Sequence, residues 1–258
     1  MRRIRIRRFT EGGAREAEDW VAEEGLLILS FVPGGKRRFA ITPEKIRAFV
    51  YGHLLGAGLI RNRDDVLSYR EGLDPNVGVP GEVIRVEVAL RVPPEAVSPE
   101  EIVWTACGGA VPEGNTELKR LSPRPLIPGR ELLRIPRLAA ERSADFRLTG
   151  AYHYAFLFDP GLELLAAAKD IGRHNAVDKV IGEAFLKGIS PEEAILYTTG
   201  RITAEIALKA LRAGIPLVAS RGAPLLGAIV LARRYNLGLA GFLRGQRFNL
   251  YAGEGWFS

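Results

Sequence analysis

The chain has 258 residues, enough to bury a substantial hydrophobic core and to divide into two domains. Its 47% hydrophobic and 26% charged residues are typical of a globular protein, and its single cysteine excludes a disulfide scaffold. The net charge of +6 permits anionic partners. Because the excess charge is spread along the chain without a basic tail, it does not indicate a nucleic-acid-binding protein.

Neither a secretory signal nor a membrane span is predicted. The seven residues after Met1 are arginines interspersed with isoleucines, which is typical of an opening strand and lacks the apolar run of a signal peptide. No apolar segment approaches the roughly 18 residues that a membrane-spanning helix needs. We therefore expect a cytoplasmic protein with no membrane partner.

The first part of the chain is predicted to be rich in sheet. Valines and charged residues alternate over 81–92, a near period-two pattern that indicates a strand. Thr42, Pro43 and Glu44 combine a cap residue, a first-turn proline and an acid ahead of apolar residues at helical spacing, so one helix is predicted there. Prolines crowd the segment 112–136, and we place a domain boundary near residue 125, between domains 1–125 and 126–258.

The second part is predicted to be an α/β domain. Two strands at 152–158 and 163–169 are followed by three repeats of a helix and a strand: 175–186 with 194–198, 202–212 with 215–219, and 224–235 with 239–243. This alternation predicts a parallel or mixed sheet covered by helices. In the helix 202–212, apolar residues leave only a narrow polar strip with Glu205 and Lys209 as an i,i+4 pair, so we interpret the helix as buried scaffold.

Cys107 is the first candidate for chemistry. It lies in the glycine-flanked sequence Ala106-Cys107-Gly108-Gly109-Ala110, which predicts an accessible sulfur in a flexible loop. A thiolate is a nucleophile and can carry an extra sulfur atom, whereas one cysteine cannot close an internal disulfide. The alternative is a free cysteine buried as a small hydrophobe.

Three turns that enter the predicted helices share glycine, a hydroxyl or amide side chain, and arginine. They are Gly172-Arg173-His174-Asn175, Thr198-Thr199-Gly200-Arg201 and Ala219-Ser220-Arg221-Gly222. Each follows a predicted strand, where helix N-termini present free N–H groups to anions and arginine holds two phosphate oxygens at once. The turns together predict a phosphate pocket; the alternative is helix caps with solvated arginines.

The segment 241–249 brings two more arginines between two aromatic residues. Phe242 or Phe248 is suited to stack on a base while Arg244 and Arg247 meet phosphates, although an edge strand followed by a charged turn has the same composition. Of the three histidines, His53 falls in the first predicted helix, and His153 and His174 fall near the proposed pocket. Because no metal-binding spacing accompanies them, no resident metal is expected; either of the last two could bind a ligand or take a proton from a thiol.

Five segments, in their order along the chain, carry a family resemblance. They are Thr149-Gly150-Ala151-Tyr152-His153, Asp170-Ile171-Gly172-Arg173-His174-Asn175-Ala176-Val177-Asp178-Lys179, Thr199-Gly200-Arg201-Ile202, Ala219-Ser220-Arg221, and Gly241-Phe242 through Phe248-Asn249-Leu250-Tyr251. Together they resemble the FdhD family, the formate dehydrogenase accessory sulfurtransferases. The segment 172–179 is the most specific of them, and the first 80 residues add little.

The resemblance implies a cytidine-deaminase-like α/β fold for the second domain and a sulfurtransferase activity. Members take sulfur from a cysteine desulfurase as a loop persulfide and pass it to the molybdenum or tungsten bis(molybdopterin guanine dinucleotide) cofactor of formate dehydrogenase. By resemblance, Cys107 bears the persulfide. The residues that match the family's cofactor-binding segment are Phe242, Leu243, Arg244, Gly245, Gln246 and Arg247. A homodimer is also implied.

The chain departs from the family at one position. Many relatives have a Cys-x-x-Cys loop, whereas Ala110 stands where the second cysteine would fall. This excludes a mechanism with a resolving thiol in the loop but is compatible with a single persulfide carrier. The alternative function is a non-catalytic chaperone that binds and delivers the cofactor without sulfur transfer. A zinc deaminase is disfavoured because one cysteine cannot supply its zinc ligands.

Overall fold

The structure is a computed structural model that describes residues 1–75, 81–92, 118–143 and 148–258. Its first two strands, β1 (Arg2–Thr10) and β2 (Gly13–Val21), form an antiparallel ribbon. A four-stranded sheet follows, in the order β4-β3-β6-β5. Its strands are β3 (Gly25–Phe31), β4 (Lys36–Ile41), β5 (Val66–Leu73) and β6 (Val83–Leu90), and helix α1 (Ile46–Gly56) lies between β4 and β5.

The second sheet has six strands in the order β12-β11-β10-β9-β7-β8. The strands are β7 (His153–Phe158), β8 (Leu164–Asp170), β9 (Ile195–Thr198), β10 (Leu217–Ser220), β11 (Gly238–Arg244) and β12 (Arg247–Ala252). Helices α4 (Arg173–Lys187), α5 (Ala204–Ala213) and α6 (Leu226–Tyr235) connect its parallel strands, and α2 (Gly129–Leu132) and α3 (Ile135–Glu141) precede it. The predicted mixed α/β architecture is confirmed; the cytidine-deaminase-like assignment stays a prediction.

Two hydrophobic clusters cover the two faces of the six-stranded sheet. Alternation along β7 sends Tyr154, Phe156 and Phe158 to a cluster with α2 and α3, and sends Ala155 and Leu157 to a larger cluster with α4, α5 and α6. The larger cluster also contains buried residues of β3, β4, β6 and α1. One core therefore includes residues from both sides of position 125, and the division there stays a prediction.

Helices α1 and α4 cross at very short range because two glycines meet at the contact. A Cβ atom built on Gly52 would lie 1.9 Å from the backbone oxygen of Asp178. One built on Gly182 would lie 1.8 Å from the backbone oxygen of Ala48. This crossing joins the N-terminal sheet and its helix to the six-stranded sheet.

Two details differ from the sequence predictions. Helix α1 begins at Ile46, so Thr42 is not its cap; the Thr42 amide donates to Asp170 Oδ2 at 3.1 Å and its hydroxyl accepts from the Ile171 amide at 3.2 Å. Lys209 pairs with Glu205 at 3.3 Å, as predicted, but the lysine of this polar strip is itself buried, because it also binds Asp178. No helix within the described ranges is long and apolar enough to cross a membrane.

Candidate functional site

Four strand ends meet at one edge of the six-stranded sheet. Strands β9, β10 and β11 are parallel, and β8 runs in their direction because both β8 and β9 are antiparallel to β7. The three arginine-bearing turns therefore leave the sheet at the same edge. This is the place where open α/β sheets bind their ligands.

The three turns also contact one another. Ser220 Oγ donates a hydrogen bond to the Gly200 oxygen, and the Arg221 amide donates to the Thr198 oxygen at 3.2 Å. A Cβ built on Gly200 would lie 2.7 Å from Cβ of Arg173, so the second turn has no room for a side chain beside the first. The predicted turns thus form one continuous surface.

The hydroxyl and amide side chains of these turns are not ordinary helix caps. The cap of α5 is Thr203, whose Oγ1 accepts from the Ile206 amide, and no side chain caps α4. Asn175 instead donates to Asp170 and to the Ala40 oxygen, and Ser220 joins its own turn to Gly200. These side chains therefore shape the turns and do not cap the helices that follow them.

Arginines supply positive charge along this surface. Arg173 is half-buried, and Arg201 and Arg221 are exposed. At the first turn, the Asp170 carboxyl group is fully buried and bound to Lys179 at 2.6 Å, and the Glu205 carboxyl group lies 3.6 Å from His174 Nε2 and is paired with Lys209 at 3.3 Å. The edge is therefore electropositive and suits an anionic ligand with more than one phosphate.

The segment 242–247 forms the tip of the β11–β12 hairpin beside the third turn. The Phe242 amide donates to the Gly222 oxygen at 2.9 Å, and the Arg244 guanidinium lies 5.6 Å from the centre of the Phe242 ring. Arg244, Gly245, Gln246 and Arg247 are exposed. Leu243, in contrast, has its side chain in the core, so only its backbone can face a ligand.

Phe242 has an unusual backbone conformation. Its φ angle is 54°, in the left-handed region that bulky residues rarely adopt, and the strand register shifts between Gly241 and Arg244. Such strain is concentrated at functional sites. Phe248, the other aromatic residue suggested to stack on a base, stacks on Phe257 at 5.8 Å instead, which leaves Phe242 as the aromatic residue available to a ligand.

The histidines occupy three different places. His153 lies at the site edge, opposite Asp170 in the sheet, and burial and the nearby Arg173 lower its pKa. His174 lies in the first turn with Nε2 2.9 Å from Thr203 Oγ1, and burial lowers its pKa to about 4. His53 is buried in α1, far along the chain from the turns, between Arg37 and Asp178.

The sequence reading missed two buried ion pairs on adjacent residues of α4. Lys179 binds Asp170 on the side of the sheet edge, and Asp178 binds Lys209 on the side of α1 and α5. Although burial acts to raise it, Lys209 and His53 hold the pKa of Asp178 below its ordinary value. The signal available was the adjacent pair of opposite charges, Asp178 and Lys179, between the apolar residues Val177 and Val180. Among the residues that the structure describes, no group of three histidine, cysteine or carboxylate side chains is placed to hold a metal ion.

Cys107 lies outside the described residues. The structure describes the chain up to Val92, just after β6, and again from Leu118, which packs against the larger core cluster. The proposed carrier role of Cys107 therefore stays a prediction.

Comparison with known proteins identifies relatives of this chain. The sequence profile described as the FdhD/NarQ family matches residues 34–257. A protein of Sulfurisphaera tokodaii named sulfur carrier protein FdhD is 32% identical over 255 residues, which cover 97% of this chain and 96% of that protein. A protein of Nocardia farcinica with the same name is 34% identical over 263 residues, 97% of this chain and 92% of the relative.

A solved structure has the same fold. It is the crystal structure of a candidate formate dehydrogenase accessory protein from Desulfotalea psychrophila. The two chains superpose with a TM-score of 0.74 at 25% sequence identity, over 99% of this chain and 98% of the other. The likeness thus extends over both sheets described above.

Proposed function

This chain belongs to the FdhD/NarQ family, and we propose that it is a sulfurtransferase that carries sulfur as a persulfide on Cys107. Its acceptor is the molybdenum or tungsten bis(molybdopterin guanine dinucleotide) cofactor, and the product is needed for formate dehydrogenase activity. The observation that carries the proposal is the convergence of three arginine-bearing turns on one sheet edge, in a chain whose relatives are named sulfur carrier proteins. The protein acts in the cytoplasm as a homodimer.

Loading of Cys107 is a thiol exchange without net redox change. The Cys107 thiolate attacks the terminal sulfur of a persulfide on a cysteine desulfurase, a new S–S bond forms on Cys107, and the donor cysteine leaves as its thiolate. In delivery, the S–S bond of the Cys107 persulfide breaks with the Cys107 thiolate as the leaving group, and the terminal sulfur bonds to the acceptor, which would supply the electron pair of the new bond. One cysteine is sufficient for both steps, consistent with Ala110 in place of a second loop cysteine.

The anionic dinucleotide of the acceptor fits the sheet edge. Its pyrophosphate groups would lie on the arginines of the three turns, Arg173, Arg201 and Arg221, whose guanidinium groups favour negative charge. A guanine base would stack on Phe242 beside Arg244, whose guanidinium already lies against that ring. Arg247, Gly245 and Gln246 complete the exposed hairpin tip.

Anchoring and delivery are separate tasks in this proposal. Cys107 is 15 residues from Val92 and 11 residues from Leu118. Because an extended chain spans about 3.3–3.6 Å per residue, the covalent tether permits Cys107 to reach about 36 Å from Leu118 and to meet two partners in turn. The cofactor stays at the sheet edge during this movement.

The decisive experiment pairs two variants. Cys107→Ala should abolish activation of formate dehydrogenase while it leaves binding of guanosine diphosphate unchanged, because the thiol is not part of the phosphate site. Arg244→Ala should weaken guanosine diphosphate binding while Cys107 is still loaded with sulfur. If Cys107→Ala activates formate dehydrogenase fully, the carrier role is wrong and the alternative, a cofactor chaperone without sulfur transfer, is favoured.

A further inference from the structure

We propose that the buried Asp170–Lys179 pair is a positioning element for the nucleotide site, which holds the first turn against the segment between β4 and α1. The inference rests on the proposed function for its ligand. It assigns a role in ligand binding to residues that do not face the ligand, among them Thr42 of the N-terminal half.

The Asp170 carboxylate collects four donors. Its Oδ1 accepts from the Gly172 amide at 2.8 Å and from Asn175 Nδ2 at 3.0 Å. Its Oδ2 accepts from the Thr42 amide at 3.1 Å and binds Lys179 Nζ at 2.6 Å. One oxygen thus holds the turn that begins α4, and the other holds the start of the connection to α1.

Three further hydrogen bonds tie the same two segments together. Lys179 Nζ donates to the Thr42 oxygen at 2.8 Å, and Asn175 Nδ2 donates to the Ala40 oxygen at 2.9 Å. The Ile171 amide donates to Thr42 Oγ1 at 3.2 Å. The turn that carries Arg173 is therefore fixed by residues of β4 and of the segment that follows it, not by its own sheet alone.

The pair is not explained by stability alone. Lys179 and Asp170 side chains have no exposed surface, and removing two charges from water is costly enough that a packed apolar pair is often as stable. The adjacent pair joins Asp178 of α4 to Lys209 of α5 at nearly the same burial, but among the described residues it makes no hydrogen bond to the turn amides or to Thr42. The two pairs thus differ in whether they touch the site.

This difference provides a matched experiment. The double variant Asp170→Ala/Lys179→Met removes one buried pair, and Asp178→Ala/Lys209→Met removes the adjacent buried pair, which also takes its lysine partner from the partly exposed Glu205. We expect the first to lose about tenfold or more in affinity for guanosine diphosphate, because small displacements of positioning groups have large effects. We expect the second to keep its affinity within about twofold. Calorimetric titration below the unfolding temperature of each variant gives both values.

Hydrogen exchange measures the position of the turn without any ligand. The peptide over 171–176 should exchange faster in Asp170→Ala/Lys179→Met than in the wild-type protein, and at the wild-type rate in the other double variant. If the first double variant does not fold, Thr42→Val tests the same link, since it removes only the hydroxyl that accepts from Ile171, and it should speed exchange over 171–176.

The outcomes separate this inference from the proposed function. Unchanged affinity and exchange in Asp170→Ala/Lys179→Met, or equal losses in both double variants, would overturn the positioning role. Failure of the wild-type protein to bind guanosine diphosphate would instead contradict the proposed ligand, and the exchange rates alone would then decide whether the pair holds the turn.

Discussion

Burial keeps His174 neutral at the turn that begins α4. Besides burial, the charges that act on its pKa are those of Glu205, Lys209, Arg173 and Asp178, and the net result is a pKa of about 4 against an ordinary value of 6.5. The unfolded chain therefore binds a proton between pH 6.5 and pH 4 that the folded chain does not bind. The contribution of neutral His174 to the free energy of unfolding is complete above pH 6.5 and is lost as the pH falls toward 4.

This pKa shift predicts that the free energy of unfolding depends on pH, and that one substitution makes this dependence weaker. His174 should contribute about 3 kcal/mol to the fall in the free energy of unfolding between pH 7 and pH 4. His174→Gln keeps a polar group near Thr203 but cannot titrate, so it should unfold with a shallower pH dependence. Urea titrations at several pH values measure the slope; equal slopes for the two proteins would show that His174 is not the group responsible.

A second prediction for a single residue concerns Arg244. Arg244→Ala should weaken guanosine diphosphate binding about tenfold, because a charge-assisted contact and a stacked guanidinium are both lost. Arg70 of β5 is the control, since it is also exposed and also lies on a strand but is on the other sheet. Arg70→Ala should bind the nucleotide as the wild-type protein does, and an equal loss in both variants would indicate a general charge effect.

At the scale of elements, the α1–α4 crossing depends on the absence of two side chains. Gly52→Ala would favour the helix by propensity, yet its Cβ would lie 1.9 Å from the Asp178 oxygen. Since both groups are in rigid helices, we expect a loss of about 3 kcal/mol or more in the free energy of unfolding. Gly72→Ala, where no atom lies within 4 Å of the new Cβ, is the control for chemical denaturation. A stabilised Gly52→Ala variant would contradict this packing.

The elements themselves could be predicted well from local patterns. The alternation of helices and apolar strands in 175–243 predicted α4 to α6 and β9 to β11, and the turn at 159–161 predicted the β7–β8 hairpin. The start of α1 was wrong, because Thr42 binds Asp170 and Ile171, which are far away in sequence. Local spacing contains no information about a partner more than a hundred residues distant.

In the candidate site too, features that follow from local patterns could be predicted, and contacts between residues far apart in the sequence could not. Arg173, Arg201 and Arg221 could be predicted as neighbours because parallel strands end at one edge. The Asp170–Lys179 pair could not, since its role depends on contacts with Thr42, which lies in the distant segment between β4 and α1. Lys209 was assigned to a polar strip because its spacing from Glu205 fits a solvated pair equally well; only the tertiary contact with Asp178 shows that it is buried.

At the scale of the whole molecule, the shared core argues that the two parts of the chain depend on each other. Residues 126–258 expressed alone would expose the face of α4 that packs on α1, and would leave Asp170 and Lys179 without Thr42 and Asn175 without Ala40. We expect this fragment to lack cooperative unfolding and fixed tertiary structure, as measured by thermal melting and near-ultraviolet circular dichroism. A fragment with a sharp transition would instead favour two independent domains divided near residue 125.

The most direct test of the sulfur carrier proposal is mass spectrometry of the protein after incubation with a cysteine desulfurase and cysteine. We predict that the peptide containing Cys107 gains the mass of one sulfur atom, that a reductant removes it, and that Cys107→Ala gains none. A wild-type protein that stays unmodified at Cys107, while it still activates formate dehydrogenase under the same conditions, would contradict the account.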